Sequence, residues 1–259
     1  MLVFHIICRV KLPDLKIVGT YRVKNEERFL EKSLKSVMDI CSEIVVLDDN
    51  STDKTVEICS SFDKVVDVQT QSNLVLNEVR DRNLLLQMGL KRKPDFILSI
   101  DGDEIFMPNA AEILFEELKV VYSTTNVFEF QFLTCWDTIE QIRFDGIFGN
   151  YWQKRLFRTK NQPSDLKFNN TANFGNLHCG SIPKDIHGFK NPIRSDVKIF
   201  HMASIDETLR KQKYDYYTKL DGDSVLTDGY KHMISGEGKF SGPNGIELKK
   251  IPKNFTNNL

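Results

Sequence analysis

The sequence predicts an α/β fold, a mostly parallel sheet with helices on both faces and a smaller antiparallel region after it. Over residues 15–121, short apolar runs alternate with segments of helical periodicity, and strands separated by helices pair in parallel through right-handed crossovers. Each conspicuous polar cluster of this half, at residues 21–27, 48–53 and 101–104, directly follows an apolar run. Sheets of this kind bind ligands beyond the carboxyl ends of their strands. The spacing after residue 126 is less regular, which predicts the antiparallel part.

The first strand is read at 15–20, before a polar loop and a helix with Leu30, Leu34, Val37, Met38 and Cys41 on one apolar stripe. A second strand, 43–47, ends in Asp48-Asp-Asn-Ser-Thr-Asp53, whose side chains suit the start of a short helix at 55–59. Residues 65–68 form a third strand. The helix over 76–90 places Val79, Asn83, Leu86 and Leu90 on one face, with Arg80 and Arg82 off its centre. The fourth strand, 95–100, has one exposed residue, Ser99, and a helix follows at 110–121. Residues 127–133, 151–157 and 197–200 read as strands, 136–137 and 143–146 as loops, and 207–220 as a charged, tyrosine-rich helix. From residue 221 the chain is rich in Gly, Lys and Asn and reads as loosely packed.

A chain of 259 residues can bury a full core as one domain. It divides at about 15–125 and 126–220, with an extension over 221–259. Its 35 basic and 36 acidic residues leave a net charge of -1. That argues against a general nucleic-acid binder, which needs a basic excess. The five cysteines, at 8, 41, 59, 135 and 179, are scattered and form no CxxC pair. They read as small core residues of a reduced compartment. No stretch approaches the roughly 20 apolar residues of a membrane helix. Residues 1–10 lack a basic start and a cleavage site, so they are not read as a signal peptide. The expected location is the cytoplasm, free or peripheral to a membrane.

The chemistry concentrates where Phe96-Ile-Leu-Ser-Ile100 runs into Asp101-Gly-Asp-Glu104. Clustered carboxylates repel one another and lose solvation, so a strand end tolerates them chiefly where a cation sits. Hard oxygen ligands suit Mg²⁺ or Mn²⁺, and a metal held by one or two carboxylates keeps positions open for phosphate oxygens. Gly102 is expected to let the backbone turn between the acids. The alternative is an acidic solvated turn. A second Asp-Gly-Asp, at 221–223, has no apolar strand before it and reads as a surface turn.

Taken in order, Val23-Lys-Asn-Glu-Glu27, Val46-Leu-Asp-Asp-Asn-Ser-Thr-Asp53, Arg82-Asn83 and Ile100-Asp-Gly-Asp-Glu104 resemble family 2 glycosyltransferases of the GT-A fold. The likeness spans about residues 15–107 and continues more loosely to about 220. The second half is similar to a bacterial and viral subset through Arg143, Asp145, Gly146, Trp152, Arg155, Arg158, Cys179, Gly180 and His201, with His178 beside them. Arg22 stands where many members have proline.

The resemblance implies a Rossmann-like domain whose 15–125 half binds a nucleotide-sugar and whose 126–220 half faces the acceptor. It implies metal-dependent transfer of a sugar to an acceptor hydroxyl of a glycan or glycoconjugate, with inversion, as in polysaccharide biosynthesis. Mn²⁺ or Mg²⁺ is the implied metal, and a UDP-sugar, or else a GDP- or dTDP-sugar, the implied donor. Asp103 takes the place of the direct metal ligand and His201 that of a third ligand. Asp101 takes that of a contact to the ribose or the metal's water shell. Thr20, Arg22, Glu26, Asp49 and Arg82 join Asp101 as donor contacts, with Asp49 accepting from the base. Each has a plainer reading as a helix cap, surface ion pair or core residue. Arg143, Lys154, Arg155 and Arg158 either cover the diphosphate or pair on an exposed hairpin. Trp136 and Trp152 either stack on sugars or pack in the core. Asp145 and Asp137 are the candidate catalytic bases. Two rivals share the scaffold: a nucleotidyltransferase, which usually has a Gly-rich loop where this chain has Gly19 alone, and a non-catalytic sugar-binding domain.

Overall fold

Four parallel strands, β1 (Ile17–Val23), β2 (Glu43–Asp48), β3 (Val65–Thr70) and β4 (Phe96–Asp101), stand in the order β3-β2-β1-β4. This is a computed structural model, which describes residues 15–72, 76–121, 125–170, 179–221, 230–238 and 240–251. β1 and β2 are apolar on both sides because both sides are covered. Ile17, Tyr21, Ile44 and Val46 meet α1 (Leu30–Val37), α2 (Thr55–Ser60) and α4 (Ala110–Val121). Val18, Val45 and Leu47 meet Leu85 and Met88 of α3 (Glu78–Lys91) on the opposite face.

The expected stripe on α1 is the one buried: Leu30, Leu34 and Val37 are fully covered, and Cys41 lies buried in the turn beyond. Each such side chain contributes about 1.5–3 kcal/mol on leaving water. Polar contacts then fix the helix in place. Ser33 Oγ donates to the Glu104 carbonyl at 2.6 Å, so the Tyr21 hydroxyl, 3.1 Å away, donates to Ser33. Ser36 Oγ accepts from the Phe106 N–H at 3.0 Å. On the other face Gly89 lets α3 approach β1, since a Cβ there would lie 3.1 Å from Thr20 Cγ2.

The rest of the sheet is mixed. β8 (Trp152–Arg158) runs antiparallel to β4, and β6 (Val127–Trp136) antiparallel to β8. β9 (Ile193–His201) lies parallel to β6 and pairs antiparallel with β5 (Glu104–Phe106). Two reversals bring β6 and β9 back to the direction of β4, so β1, β2, β4, β6 and β9 all end on one rim. β7 (Thr138–Arg143) makes a hairpin with β6, and β10 (Leu248–Lys250) closes the far edge. α5 (Glu207–Asp221) follows β9.

Several local expectations are corrected. The buried face of α3 is Asp81, Arg82, Leu85, Leu86, Met88 and Gly89, while Leu90 is exposed. Ser99 is buried, accepting from Arg82. Residue 143, read as loop, ends β7. The described part of the C-terminal extension packs back onto that strand instead of lying loose. Its anchor is Arg143, fully buried, which donates to both oxygens of Asp145 (2.7 and 2.8 Å), to the His232 carbonyl (2.6 Å) and to Ser241 Oγ (2.8 Å). Its guanidinium lies over the rings of Trp136 and Phe148, 4.9 and 4.3 Å from their centroids.

Asp145 also accepts from the N–H groups of Gly242 and Glu247 at 3.0 and 3.2 Å. This candidate base is thus committed to a structural clamp. Residues 222–223 of the second Asp-Gly-Asp, together with His178 and Cys8, lie outside the described residues. Cys41, Cys59, Cys135 and Cys179 are buried free thiols, and burial pushes the pKa of each up to about 12. Among the described residues no helix is long and apolar enough to cross a membrane.

The clamp gives a test of stability. Burial would raise the Asp145 pKa, but Arg143 and the two backbone N–H groups hold it below the usual carboxylate value. A depressed folded pKa contributes stability above the unfolded value, about 3.9, that is lost as pH falls through the folded one. Asp145→Asn should therefore cost about 3 kcal/mol in urea unfolding at pH 7. The gap to the parent protein should narrow below about pH 4. A gap that stays constant down to pH 3 would mean the ionised carboxylate contributes nothing.

Candidate active site

The rim where the strands end frames a cleft of about 450 Å³ lined by Arg22, Glu26, Asp49, Arg82, Asp101, Asp103, His201 and Lys213. Tyr216 and Tyr217 of α5 line it as well. Thr20, expected among the donor contacts, is buried behind the rim, with its hydroxyl 3.5 Å from the Leu98 carbonyl.

One side of the cleft is built on the β1 and β2 ends. Asp48 accepts from the Ser51 N–H at 3.2 Å and shapes the turn, in which Asn50 takes a left-handed φ of 57°. Asp49 is then held by Arg22 Nη2 at 3.2 Å, Lys24 Nζ at 3.5 Å and Gln71 Nε2 at 3.0 Å. The Arg22 Nε reaches the fully buried Asp81 of α3 at 3.1 Å. A single guanidinium therefore ties three elements together and orients the Asp49 carboxylate. Neither Gln71 nor Asp81 was expected. Gln71 had a usable signal, because it directly follows β3 as the other polar clusters follow their strands.

The acidic turn after β4 divides its carboxylates between two tasks. Asp101 receives Arg82 Nη2 at 2.9 Å on one oxygen and Arg155 Nη2 at 3.2 Å on the other. Burial alone would raise its pKa, but the two guanidinium groups hold it well below the usual carboxylate range. Arg155 also pairs with Glu104 and donates to Ser181 Oγ at 2.5 Å. Burial, with the nearby charges of Asp101 and Asp103, pushes Glu104 upward against that arginine. Asp103 points elsewhere. Its Oδ2 lies 2.7 Å from Lys213 Nζ, and its Oδ1 lies 3.8 Å from His201 Nε2. Burial acts to raise the Asp103 pKa, and Lys213 and His201 outweigh it. Burial lowers the pKa of His201, which keeps the imidazole neutral and able to act as a ligand at neutral pH.

Gly102 is required for space and not for a turn, since its φ is not left-handed. A Cβ there would come 2.7 Å from Glu26 Cγ, so Glu26 packs directly over the peptide between the two aspartates. Burial in that position, and the Asp103 charge beside it, push the Glu26 pKa up to about 8.

The three residues expected around the metal, Asp101, Asp103 and His201, do not converge. Asp101 is turned to its arginines, and among the described residues no group of three His, Cys, Asp or Glu side chains could hold a metal ion. Asp103 and His201 do face each other. One carboxylate and one neutral imidazole suit Mn²⁺ or Mg²⁺ when phosphate oxygens complete the shell. Their meeting is fixed by backbone pairing, because β5 and β9 align Glu104 with His201 and the Met202 N–H donates to the Asp103 carbonyl at 2.9 Å.

Of the four basic residues expected at a diphosphate, Arg155 alone contacts the acidic turn. Arg143 is in the clamp, Arg158 lies over Phe96, and Lys154 lies 3.9 Å from Glu129. Trp136 is buried against Arg143 and Arg210, and Trp152 packs with Arg194 and Lys198. Asp137, just past the end of β6, is half-exposed and accepts from Arg210 Nη1 at 2.8 Å. Lys213 was not singled out, since nothing in the sequence separates it from Lys211 or Lys219 on the same helix.

Residues 22–165 match the model of glycosyl transferase family 2. The chain is 26% identical over 242 residues to an uncharacterized glycosyltransferase of Rickettsia bellii, covering 93% of this chain and 70% of that protein. A second, from Rickettsia typhi, is 28% identical over 113 residues, 43% of this chain and 35% of the other. Among solved structures, S. aureus TarS in complex with UDP-GlcNAc aligns at 16% identity and a TM-score of 0.46, covering 85% of this chain and 71% of that one. Glucosyl-3-phosphoglycerate synthase from Mycobacterium tuberculosis, in complex with Mn²⁺, UDP-glucose and phosphoglyceric acid, aligns at 16% identity and a TM-score of 0.30, covering 48% and 44%. The family model spans more than half of the 259 residues, and the protein belongs to glycosyl transferase family 2.

Proposed function

We propose that this glycosyltransferase moves a sugar from a nucleotide-diphosphate donor to an acceptor hydroxyl of a glycan, with a divalent cation at Asp103 and His201 and with inversion at the anomeric carbon. The supporting observation is the division of labour in the acidic turn: Asp101 and Glu104 are taken by arginines, while Asp103 faces a neutral imidazole in an open cleft. A UDP-sugar is the first donor to test, with GDP- and dTDP-sugars next.

Asp49, aimed by Arg22 and Gln71 and also met by Lys24, keeps a lone pair on Oδ1 to accept from a ring N–H of the base. Arg82 and Arg155 hold the turn rigid so that Asp103 keeps its position. When bound, Mn²⁺ or Mg²⁺ supplies Lewis-acid neutralisation of the departing diphosphate. Inversion needs the acceptor oxygen to attack C1 opposite the leaving group while a carboxylate takes its proton. Asp137 is the more accessible of the two candidate bases, since its carboxylate is half-exposed at the end of β6 and that of Asp145 is buried in the clamp; neither lines the cleft.

Product analysis tests the reaction. Free nucleoside diphosphate supports transfer, pyrophosphate marks a nucleotidyltransferase, and donor binding without turnover marks a non-catalytic scaffold. Two further outcomes are expected. Asp103→Asn should remove the Mn²⁺-dependent strengthening of UDP binding and slow transfer roughly a hundredfold or more. Asp101→Asn should keep the Mn²⁺ response yet lose about 3 kcal/mol of stability, because buried Arg82 loses its ionised partner and buried Arg155 keeps Glu104 alone. Indistinguishable behaviour of the pair in calorimetry and melting would sink the division of labour. His201→Ala should weaken Mn²⁺ binding roughly tenfold or more and cost only about 1 kcal/mol of stability. Unchanged Mn²⁺ affinity with a large fall in melting temperature would make His201 purely structural.

A further inference from the structure

Lys213 is the cation of the cleft that no family motif accounts for. Its ammonium lies 2.7 Å from Asp103 Oδ2, with the side chain 27% exposed, and it lines both the cleft and an adjoining cavity of about 560 Å³. The two arginines of the acidic turn are buried and each has several acceptors, Arg82 on Asp101 and Ser99, Arg155 on Asp101, Glu104 and Ser181. Neither is free to move. Lys213 is a point charge on a flexible stem. Its helix is anchored one turn earlier, where Arg210 donates to the Ser204 carbonyl and to Asp137, both at 2.8 Å.

We propose that Lys213 is a diphosphate-contacting residue: it neutralises Asp103 before the donor binds and transfers its hydrogen bond to the donor's diphosphate when the donor binds. This rests on the reading of the cleft as a diphosphate site. A diphosphate oxygen bound to a cation at Asp103 would lie beside that carboxylate, where the Lys213 ammonium already stands. In the transfer step the bond between C1 and the diphosphate oxygen breaks, and its electron pair stays on that oxygen. The acceptor oxygen forms the new bond to C1, and its proton passes to the catalytic carboxylate. The diphosphate therefore gains one negative charge, and Lys213 donates a hydrogen bond to it as that charge appears.

The test uses inorganic pyrophosphate, whose binding does not depend on the identity of the base, titrated calorimetrically into the full chain in buffer with chelator. Lys213→Met should weaken binding roughly ten- to hundredfold, the loss of one charge-assisted hydrogen bond. Lys213→Arg should restore most of it. Asp103→Asn should bind pyrophosphate at least as tightly as the parent, because it releases Lys213, and the double variant K213M/D103N should lose that gain. Failure of the parent protein to bind pyrophosphate without metal would overturn the proposal. So would unchanged affinity in Lys213→Met with a lower melting temperature, the signature of a merely structural pair. Repeating the titration with Mn²⁺ separates this proposal from the metal reading. A loss in Lys213→Met with no Mn²⁺ effect in the parent would overturn the metal at Asp103 and His201 and leave the lysine contact standing.

Discussion

Removing carboxylates from water costs several kcal/mol each, and at the end of β4 this fold buries two of them, Asp103 and Glu104, and half-buries a third, Asp101, within four consecutive residues. The structure around that point answers the cost. Arg82 comes from α3 on one face of the parallel half, and Arg155 comes from β8 in the antiparallel half. Both meet on Asp101, so the ion pairs that make the acidic turn tolerable also join the two halves across one strand. The arrangement leaves Asp103 without an arginine. That residue faces the cleft with a lysine and a histidine, two partners with very different chemistry.

The position of His201 depends on the same turn. β5 begins at Glu104 and pairs directly with the end of β9, so the acidic residues and the histidine are one register apart by construction. Ser33 and Ser36 of α1 hold the back of β5 through its backbone. The core packing of α1 thereby sets the height of the carboxylates above the rim. The pairing of Asp103 with His201 is thus set by hydrogen-bonded backbone, with Arg82 and Arg155 bracing the turn beside it.

Much of this was legible in the chain. Apolar runs marked β1, β2, β4 and β6 within a few residues, and the polar clusters behind the first, second and fourth strands marked the rim. The family resemblance points to Asp103 and His201, and the fold brings them to within 3.8 Å of each other. What escaped has a common cause. Hydrophobic periodicity finds a buried face only when that face is apolar, and α3 buries Asp81 and Arg82 with charged partners that are distant in sequence. Arg143 and Asp145 look like loop polarity until their partners, some 90 to 100 residues away, fold back on them. Ser99 belongs to the same class. Lys213 could not be told from its neighbours, because the feature that sets it apart is a single contact made across the fold. Gly102 was noticed for the wrong reason, since closeness of another side chain leaves no local trace in a sequence.

The closing of the far edge by β10 has a consequence in time. β7 pairs with residues 248–250, so the partner of Arg143 in the ladder is Leu248, about a hundred residues later in synthesis. At ribosomal rates of 5–20 residues per second, that strand waits roughly 5–20 s with an open edge and a guanidinium lacking the carbonyl and hydroxyl that later surround it. The parallel half can assemble well before then. A nascent chain of this protein thus passes through an interval in which its parallel half can form while the opposite end of the sheet still exposes a pairing surface. That interval is where chaperone attention, or mispairing with a neighbouring chain, would concentrate.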